Sequence, residues 1–248
     1  MRIDGIGFDY GNTLVSDPFG KVMDLKALEF LKVMEKNGYG IPKERLVKAW
    51  SDVNIKMNYP HCSHFAQGLP LVRTTLEKLG VEKSDRSKIA QQLLVVYRGG
   101  LKHILRNDYR IEETKRVLGD LRGRGKRLFV VSNESVDTLN MQLSWTGFRK
   151  FFEKVIVSGR LGIEKPDIRV FRHMVNMFGL PEERILYVGD DPERDIKPSK
   201  EIGIKAVIME HPKEMAAKSW RDYNYELKGK EKPDFVIKDL SELLQIVE

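Results

Sequence analysis

The sequence predicts an α/β protein with a doubly wound parallel sheet and an inserted all-helical domain. An apolar segment at residues 3–8 is followed by a long stretch with helical periodicity, and from about residue 108 short apolar runs alternate with amphipathic patterns. Strands separated by helices form right-handed crossovers, which place parallel strands in one sheet. We therefore expect an α/β core of residues 1–16 and 108–248 and a helical domain of residues 17–107.

The inserted segment contains four groups of helical signals. Apolar residues recur every three or four positions, and the groups are separated by Pro, Gly and Asn. The expected boundaries are a linker over residues 15–20, an N-cap at Asp24 with a stop at Asn37-Gly38, a start after Pro42, a span of residues 71–79, and a start at Ser84 that continues past Gly99-Gly100. No strand pattern interrupts these groups, so the segment is predicted to be entirely helical.

The remainder of the chain alternates between strand-like and helical patterns. Short runs rich in Val, Ile, Leu and Phe are typical of buried strands, and a charged stretch over residues 213–232 predicts a surface loop. The expected strands after the first are residues 127–131, 155–157, 185–188, 206–208 and 235–237. Helices are expected between them, one of them capped by Asp167.

Composition restricts the class of protein. Hydrophobic residues make up 41% of the chain and charged residues 32%, which is typical of a globular domain. The net charge of +7 comes from Lys and Arg that are mixed with 36 acidic residues in every segment, so we expect no nucleic-acid partner. No apolar run reaches about 18 residues, so no membrane span is predicted, and a start without a signal peptide favours the cytoplasm. Cys62 is the only cysteine, which excludes an internal disulfide.

Polar residues follow several of the predicted strands. Asp9 comes directly after the first strand, Ser132-Asn133 after the second, and Asp190-Asp191 after the strand at residues 185–188. Lys165 lies in Glu164-Lys165-Pro166-Asp167, beyond the strand at residues 155–157. Because the carboxyl ends of parallel strands share one edge of a sheet, these groups are expected to meet there.

With these stretches in order, the chain resembles the haloacid dehalogenase superfamily. The matching motifs are Asp9-Tyr10-Gly11-Asn12-Thr13, Val131-Ser132-Asn133, Gly162-Ile163-Glu164-Lys165-Pro166-Asp167, and Gly189-Asp190-Asp191 with Asp195. Most members are phosphohydrolases that work through an aspartyl-phosphate, with a Rossmann-like core. The resemblance covers the first strand and residues 108–248. It implies that the helical insertion is a cap domain over the active site.

The resemblance implies a role for each of these polar residues. Asp9 would be the nucleophile, since a carboxylate can attack phosphorus without first losing a proton. Mg²⁺, which prefers hard oxygen ligands, would offset the repulsion between carboxylate and phosphate. The expected substrate is a small phosphorylated metabolite. The implied catalytic residues are Asp9, Ser132 and Lys165; the phosphate-binding residues are Ser132, Asn133 and Lys165; the metal ligands are Asp9, the Gly11 carbonyl, Asp190 and Asp195.

One position departs from the family pattern. Phosphatases of this superfamily usually carry a second Asp two residues after the nucleophile as general acid and base, and here that residue is Gly11. The loss of a general acid lowers rates by roughly 10²–10⁴-fold unless another group replaces it. Asp17 or a residue of the cap could replace it, and good leaving groups need no acid.

Other interpretations remain open on the sequence alone. A 2-haloacid dehalogenase also lacks the second carboxylate, and a catalytically weak binding or regulatory protein could keep the fold. The carboxylates at Asp190 and Asp195 favour a metal-dependent phosphatase, because they are costly without a cation. Asp191 is either a further metal group or a helix N-cap. The sequence indicates no oligomeric state. His61, Cys62 and His64 fit no zinc spacing, so we expect a cap loop there, and this loop and Arg73 are candidates for substrate selection.

Overall fold

The computed structural model describes residues 2–16, 18–58, 68–210 and 232–248. The chain divides into two compact units: Met1–Asp17 with Asp108–Glu248, and Pro18–Asn107. The first is an α/β unit and the second is helical throughout the residues described. Most of the predicted loop at residues 213–232 lies outside the described residues. No helix in the described ranges is long and apolar enough to cross a membrane.

A six-stranded sheet forms the centre of the α/β unit. All strand pairings are parallel, and the strand order is β3-β2-β1-β4-β5-β6. The strands are β1 (Gly5–Phe8), β2 (Arg127–Ser132), β3 (Lys154–Val157), β4 (Ile185–Gly189), β5 (Lys205–Met209) and β6 (Phe235–Ile237). This confirms the predicted parallel α/β sheet. The strand order reverses beside β1, the position at which such sheets bind ligands.

Five helices make up the described part of the helical unit, one more than the four predicted. They are α1 (Phe19–Leu25), α2 (Ala27–Lys36), α3 (Lys43–Asn58), α4 (Leu69–Lys78) and α5 (Lys83–Asn107). The prediction that residues 15–20 are all linker, with Asp24 as an N-cap, is wrong. Pro18 is the N-cap of α1, where its missing N–H costs nothing, and Asp24 lies inside that helix. The break falls instead at Lys26, whose ψ of 10° leaves the helical region.

The long helix α5 passes through Gly99-Gly100 without a break, as the sequence predicts. Packing explains the second glycine. A Cβ atom at Gly100 would lie 2.7 Å from the Cγ atom of Lys26 and 3.0 Å from a methyl group of Val22. The missing side chain therefore lets α1 and the Lys26 junction approach the α5 backbone, and this packing offsets the low helix propensity of glycine.

Helices cover the sheet of the α/β unit. They are α6 (Tyr109–Gly123), α7 (Val136–Thr146), α8 (Ser158–Leu161), α9 (Ile168–Phe178), α10 (Lys197–Glu201) and α11 (Leu243–Ile246). Asp108, Ser135 and Asp167 are N-caps, each accepting a backbone N–H bond of its helix. On one face, Phe171 and Met174 of α9 pack against Phe129 and Tyr187, all fully buried. This packing fixes the ends of β2 and β4, from which the candidate site is built.

Candidate functional site

Three polar residues meet at the carboxyl edge of the sheet because their strands are neighbours. In the sheet, β1 lies between β2 and β4, and Phe8 is in register with both Val130 and Val188. Asp9 therefore follows β1 beside Ser132, the last residue of β2, and Asp190, the first residue after β4. All three are buried, with 8%, 4% and 5% of their surface exposed.

Lys165 joins this group from the loop after α8. Its ammonium nitrogen lies 2.6 Å from an oxygen of Asp9, 2.6 Å from an oxygen of Asp195 and 3.1 Å from the Tyr187 hydroxyl. Burial would lower the pKa of Lys165, but the negative charges of Asp195 and Asp9 outweigh it and raise the pKa well above its usual value. The structure thus holds a permanent cation, only 2% exposed, against Asp9.

Asp9, Asp190 and Asp195 form a carboxylate cluster. Each contributes an oxygen that lies within 4.8 Å of the other two. Burial, followed by the charges of Asp9 and Asp195, raises the pKa of Asp190 well above its usual range. Lys165 pairs with only two of them, Asp9 and Asp195, so one ammonium group cannot neutralise the cluster when all three carboxylates are ionised. Hard oxygen donors with an uncompensated charge fit a divalent cation such as Mg²⁺.

Asn133 has a structural contact that the sequence did not reveal. Its side-chain amide donates to the Lys165 carbonyl at 2.8 Å and accepts from the Lys165 backbone N–H at 2.8 Å. The side chain therefore holds the backbone of the lysine loop, which leaves the expected phosphate contact to backbone N–H groups. A phosphate contact by Asn133 would come from its backbone N–H, at the end of β2.

Asp191 is a helix N-cap. One of its oxygens accepts the backbone N–H groups of Glu193 at 2.9 Å and Arg194 at 2.8 Å, and the other accepts the Arg194 side chain at 2.7 Å. Both oxygens are thus engaged in the π-helical turn Pro192–Ile196, which carries Asp195. Of the two interpretations that the sequence left open, the structure therefore shows the N-cap.

Gly189 allows the close approach of Asp195. A Cβ atom at Gly189 would lie 2.5 Å from the Cβ, Cγ and Oδ2 atoms of Asp195. The same Asp195 oxygen accepts the Asp191 backbone N–H at 3.1 Å. Gly189 ends β4 directly before Asp190, and no separate role was predicted for it from the sequence. Only the packed turn shows that this position must lack a side chain.

Glu134 is a further ionisable group near the site that the sequence did not indicate. It follows Asn133, and its Oε2 atom is buried without a hydrogen-bond partner. Burial raises the pKa of Glu134 to about 7, the Ser135 backbone N–H lowers it, and the charge of Asp9 adds to the rise. Glu134 lies between the end of β2 and the N-cap Ser135, and nothing in the local sequence pattern predicts that its carboxylate oxygen is buried.

The remaining candidates are placed as follows. Gly11 lies in the exposed turn after Asp9, where Asn12 takes a left-handed φ of 54°. A Cβ atom at Gly11 would meet no heavy atom within 4 Å. Arg73 is exposed on α4 of the helical unit. Asp17, His61, Cys62 and His64 lie outside the described residues.

The sequence and the fold are similar to those of known proteins. The family model described as haloacid dehalogenase-like hydrolase matches residues 43–209. The glyceraldehyde 3-phosphate phosphatase of Methanocaldococcus jannaschii is 28% identical over 245 residues, which cover 99% of this chain and 97% of the relative. Among solved structures, a HAD phosphatase from Thermococcus onnurineus has a TM-score of 0.65 at 18% identity, over 98% of this chain and 97% of that one.

A 2-haloacid dehalogenase from Pseudomonas syringae has nearly the same structural similarity. Its TM-score is 0.64 at 20% identity, over 98% of this chain and 97% of that one. The fold is therefore common to a phosphatase and a dehalogenase. Fold alone does not separate the two chemistries, and the separation depends on the side chains of the site.

Proposed function

We propose that this chain, which belongs to the haloacid dehalogenase-like hydrolases, is a Mg²⁺-dependent phosphohydrolase that acts on small phosphomonoesters through an aspartyl-phosphate at Asp9. The supporting observation is the cluster of Asp9, Asp190 and Asp195, two of which, Asp9 and Asp195, also pair with the Lys165 ammonium group. A haloacid carries a single carboxylate, whereas a phosphate ester carries up to two charges. The excess carboxylates suit a substrate that arrives with a divalent cation.

Asp9 is the proposed nucleophile. One of its carboxylate oxygens forms a bond to phosphorus as the ester P–O bond breaks, and the leaving alkoxide takes a proton from water and departs as the alcohol. Water then attacks phosphorus, releasing inorganic phosphate and restoring the carboxylate. The Asp9 side chain is 12% exposed, and Thr13 donates to its Oδ2 atom at 3.5 Å, so the carboxylate is held in place but open at one side.

Lys165 and Ser132 are the proposed partners of the phosphoryl group. The lysine contributes a fixed positive charge beside Asp9, which lowers the repulsion between the nucleophile and an anionic substrate. Ser132 is proposed to donate its hydroxyl to a phosphoryl oxygen from the neighbouring strand, and the backbone N–H of Asn133 is proposed to donate to another. Together they would hold the oxygens that do not react.

Mg²⁺ is proposed to bind Asp9, Asp190, Asp195 and the Gly11 carbonyl. When bound, it would supply charge neutralisation for the phosphoryl oxygens. The protein's own part is to keep three carboxylates together despite their repulsion. Lys165 does this by pairing with Asp9 and Asp195 simultaneously, and the N-cap at Asp191 fixes the turn that carries Asp195.

The proposed substrate class is a small phosphorylated metabolite. Its support is the relative from Methanocaldococcus jannaschii, which matches along nearly the whole chain and is named a glyceraldehyde 3-phosphate phosphatase. We propose the helical unit, Pro18–Asn107, as the cap that selects among such esters, because it is inserted between the strand before Asp9 and the strand that carries Ser132. Glyceraldehyde 3-phosphate is therefore the first metabolite to test.

The test compares two reactions on the purified protein. Hydrolysis of p-nitrophenyl phosphate is measured with Mg²⁺ and with EDTA, and chloride release is measured from 2-chloropropionate. We expect phosphate release that requires Mg²⁺ and no chloride. Chloride release independent of metal would overturn the proposal in favour of a dehalogenase, and inactivity toward both reagents and glyceraldehyde 3-phosphate would favour a binding protein.

A further inference from the structure

Tyr187 places a hydroxyl group between two charged residues of the site. It lies in the middle of β4 and is fully buried. Its oxygen accepts a hydrogen bond from the Lys165 ammonium group at 3.1 Å and donates to the Asp195 Oδ1 atom at 3.3 Å. The Val131 carbonyl lies at 3.5 Å. One hydroxyl thus bonds to both the cation and a carboxylate of the cluster.

The surrounding packing fixes the Tyr187 ring. Phe171 meets it edge to face, with ring centroids 4.9 Å apart and an angle of 74°. On the neighbouring strand, Gly7 is the register partner of Tyr187, and a Cβ atom there would lie 2.4 Å from the Met174 sulfur and 2.9 Å from the Tyr187 ring. The missing side chain at position 7 therefore lets both Met174 and this tyrosine pack closely against β1.

The hydroxyl completes the hydrogen bonding of the Lys165 ammonium group. The Asp195 Oδ1 atom is 2.6 Å from the Lys165 nitrogen, and the same nitrogen is 2.6 Å from Asp9. Asp9, Asp195 and the Tyr187 hydroxyl are thus three acceptors for the three N–H bonds of the ammonium group. Removing the hydroxyl would leave one buried N–H unpaired and free Asp195 and Lys165 to move, a costly change in a buried site.

We infer that Tyr187 is a positioning residue that fixes Lys165 and Asp195 relative to Asp9. The inference rests on the proposed function for its role in turnover, whereas the contacts themselves do not depend on it. Tyr187 acts through its two charged partners, Lys165 and Asp195. Loss of such outer hydrogen bonds typically lowers metal affinity or activity by about 10–100-fold.

The experiment compares Tyr187→Phe with Tyr39→Phe. Tyr39 is a matched control because its hydroxyl also bonds to a carboxylate, Asp85 at 2.7 Å, but in the helical unit. The affinity for Mg²⁺ alone is measured by calorimetry, and kcat and KM with p-nitrophenyl phosphate are measured at saturating Mg²⁺. In Tyr187→Phe we expect Mg²⁺ affinity and kcat each to fall about 10-fold with KM changed less than about 3-fold, and Tyr39→Phe to match the wild type.

Two results would overturn the inference. One is a folded Tyr187→Phe protein with wild-type Mg²⁺ affinity; the other is an equal loss in Tyr39→Phe. A second measurement uses the wild-type protein, in case the variant does not fold. The tyrosines are labelled with ¹³C at the ring carbon that carries the hydroxyl group. NMR should then show that the Tyr187 hydroxyl proton exchanges slowly with water. Rapid exchange would contradict the contacts.

The two proposals fail separately. A wild-type protein that binds Mg²⁺ more tightly than Tyr187→Phe but hydrolyses no phosphate ester would reject the proposed function and keep the positioning role. A wild-type protein that hydrolyses phosphate esters, with a Tyr187→Phe variant of equal Mg²⁺ affinity and kcat, would keep the proposed function and reject the positioning role.

Discussion

The side-chain amide of Asn133 makes two hydrogen bonds of 2.8 Å to the backbone of Lys165, one to its carbonyl and one to its N–H. These residues are 32 positions apart in the chain. The amide fixes the loop from which Lys165 reaches Asp9. Lys165 is thus held at both ends: Asn133 binds its backbone, and Tyr187 and two carboxylates bind its ammonium group.

Asn133→Ala should therefore lose activity through Lys165. We expect kcat to fall by about 10-fold or more and the free energy of unfolding to fall by about 2 kcal/mol, since two buried hydrogen bonds are lost. Steady-state kinetics and urea denaturation measure these effects. Asn107→Ala is the control, because that amide also donates to a carbonyl, His103 at 2.7 Å, but at an exposed site. Wild-type kcat in Asn133→Ala would contradict the role.

Asp9→Asn should remove turnover while the fold persists. The neutral amide is a poor nucleophile and loses the ion pair with Lys165, so we expect roughly a 10³-fold or greater fall in kcat. Far-ultraviolet circular dichroism checks the fold. The control Asp239→Asn changes a carboxylate that caps the helical turn at Leu240 and should keep full activity. Activity within about tenfold of wild type would refute Asp9 as the nucleophile.

Substitutions of Asp190 and Asp191 should have different effects, although the two residues are adjacent. Asp191→Ala loses an N-cap and should cost about 1 kcal/mol of stability with little change in the Mg²⁺ concentration for half-maximal activity. Asp190→Asn removes a proposed ligand and should raise that concentration by about 10-fold or more. Magnesium titrations of activity distinguish them. An equal loss of Mg²⁺ response in both variants would assign Asp191 to the metal site as well.

Gly11→Asp should restore the missing general acid. A side chain fits at this position, since a Cβ atom would meet no heavy atom within 4 Å and Gly11 does not have a positive φ. Because an acid matters only for poor leaving groups, we expect glycerol phosphate hydrolysis to rise by about 10-fold or more and p-nitrophenyl phosphate hydrolysis to change little. Gly123→Asp, another position with open space, is the control. Equal effects on both substrates would argue against acid catalysis.

Glu134→Gln should change how stability depends on pH. The pKa of Glu134 is raised from 4.5 to about 7 in the folded protein. Between these values the unfolded chain releases a proton that the folded protein retains, so the free energy of unfolding falls as pH rises through this window. In EDTA at pH 8, we expect Glu134→Gln to be more stable than wild type by roughly 1–3 kcal/mol.

At pH 4 the Glu134 carboxyl is largely protonated in both the folded and the unfolded states, so most of the Glu134→Gln gain should disappear. Urea denaturation at the two pH values measures the difference. Glu112→Gln, which changes an exposed carboxylate paired with Lys115, should show little effect at either pH. A gain in Glu134→Gln that is the same at pH 4 and pH 8 would show that ionisation is not its cause.

Local sequence patterns were sufficient for the larger architecture. Short apolar runs bounded by turn residues predicted β1, β2 and β4. An Asp or Ser at the end of each strand predicted the edge of the sheet where the site lies. Local signals were weaker at the entry to the helical unit. The start of α1 at Phe19 and the break at Lys26 depend on packing against α5 at Gly100, which is distant in sequence.

The sequence by itself determined the sheet, the order of its motifs and the identity of Asp9, Lys165, Asp190 and Asp195 as a candidate group, because these follow from strand ends that must share one edge. Only the tertiary structure decided the contacts of Asn133, Asp191 and Tyr187 and the need for glycine at Gly189. Hydrogen-bond partners and close approaches depend on the distances between segments far apart in the chain. No local periodicity encodes those distances.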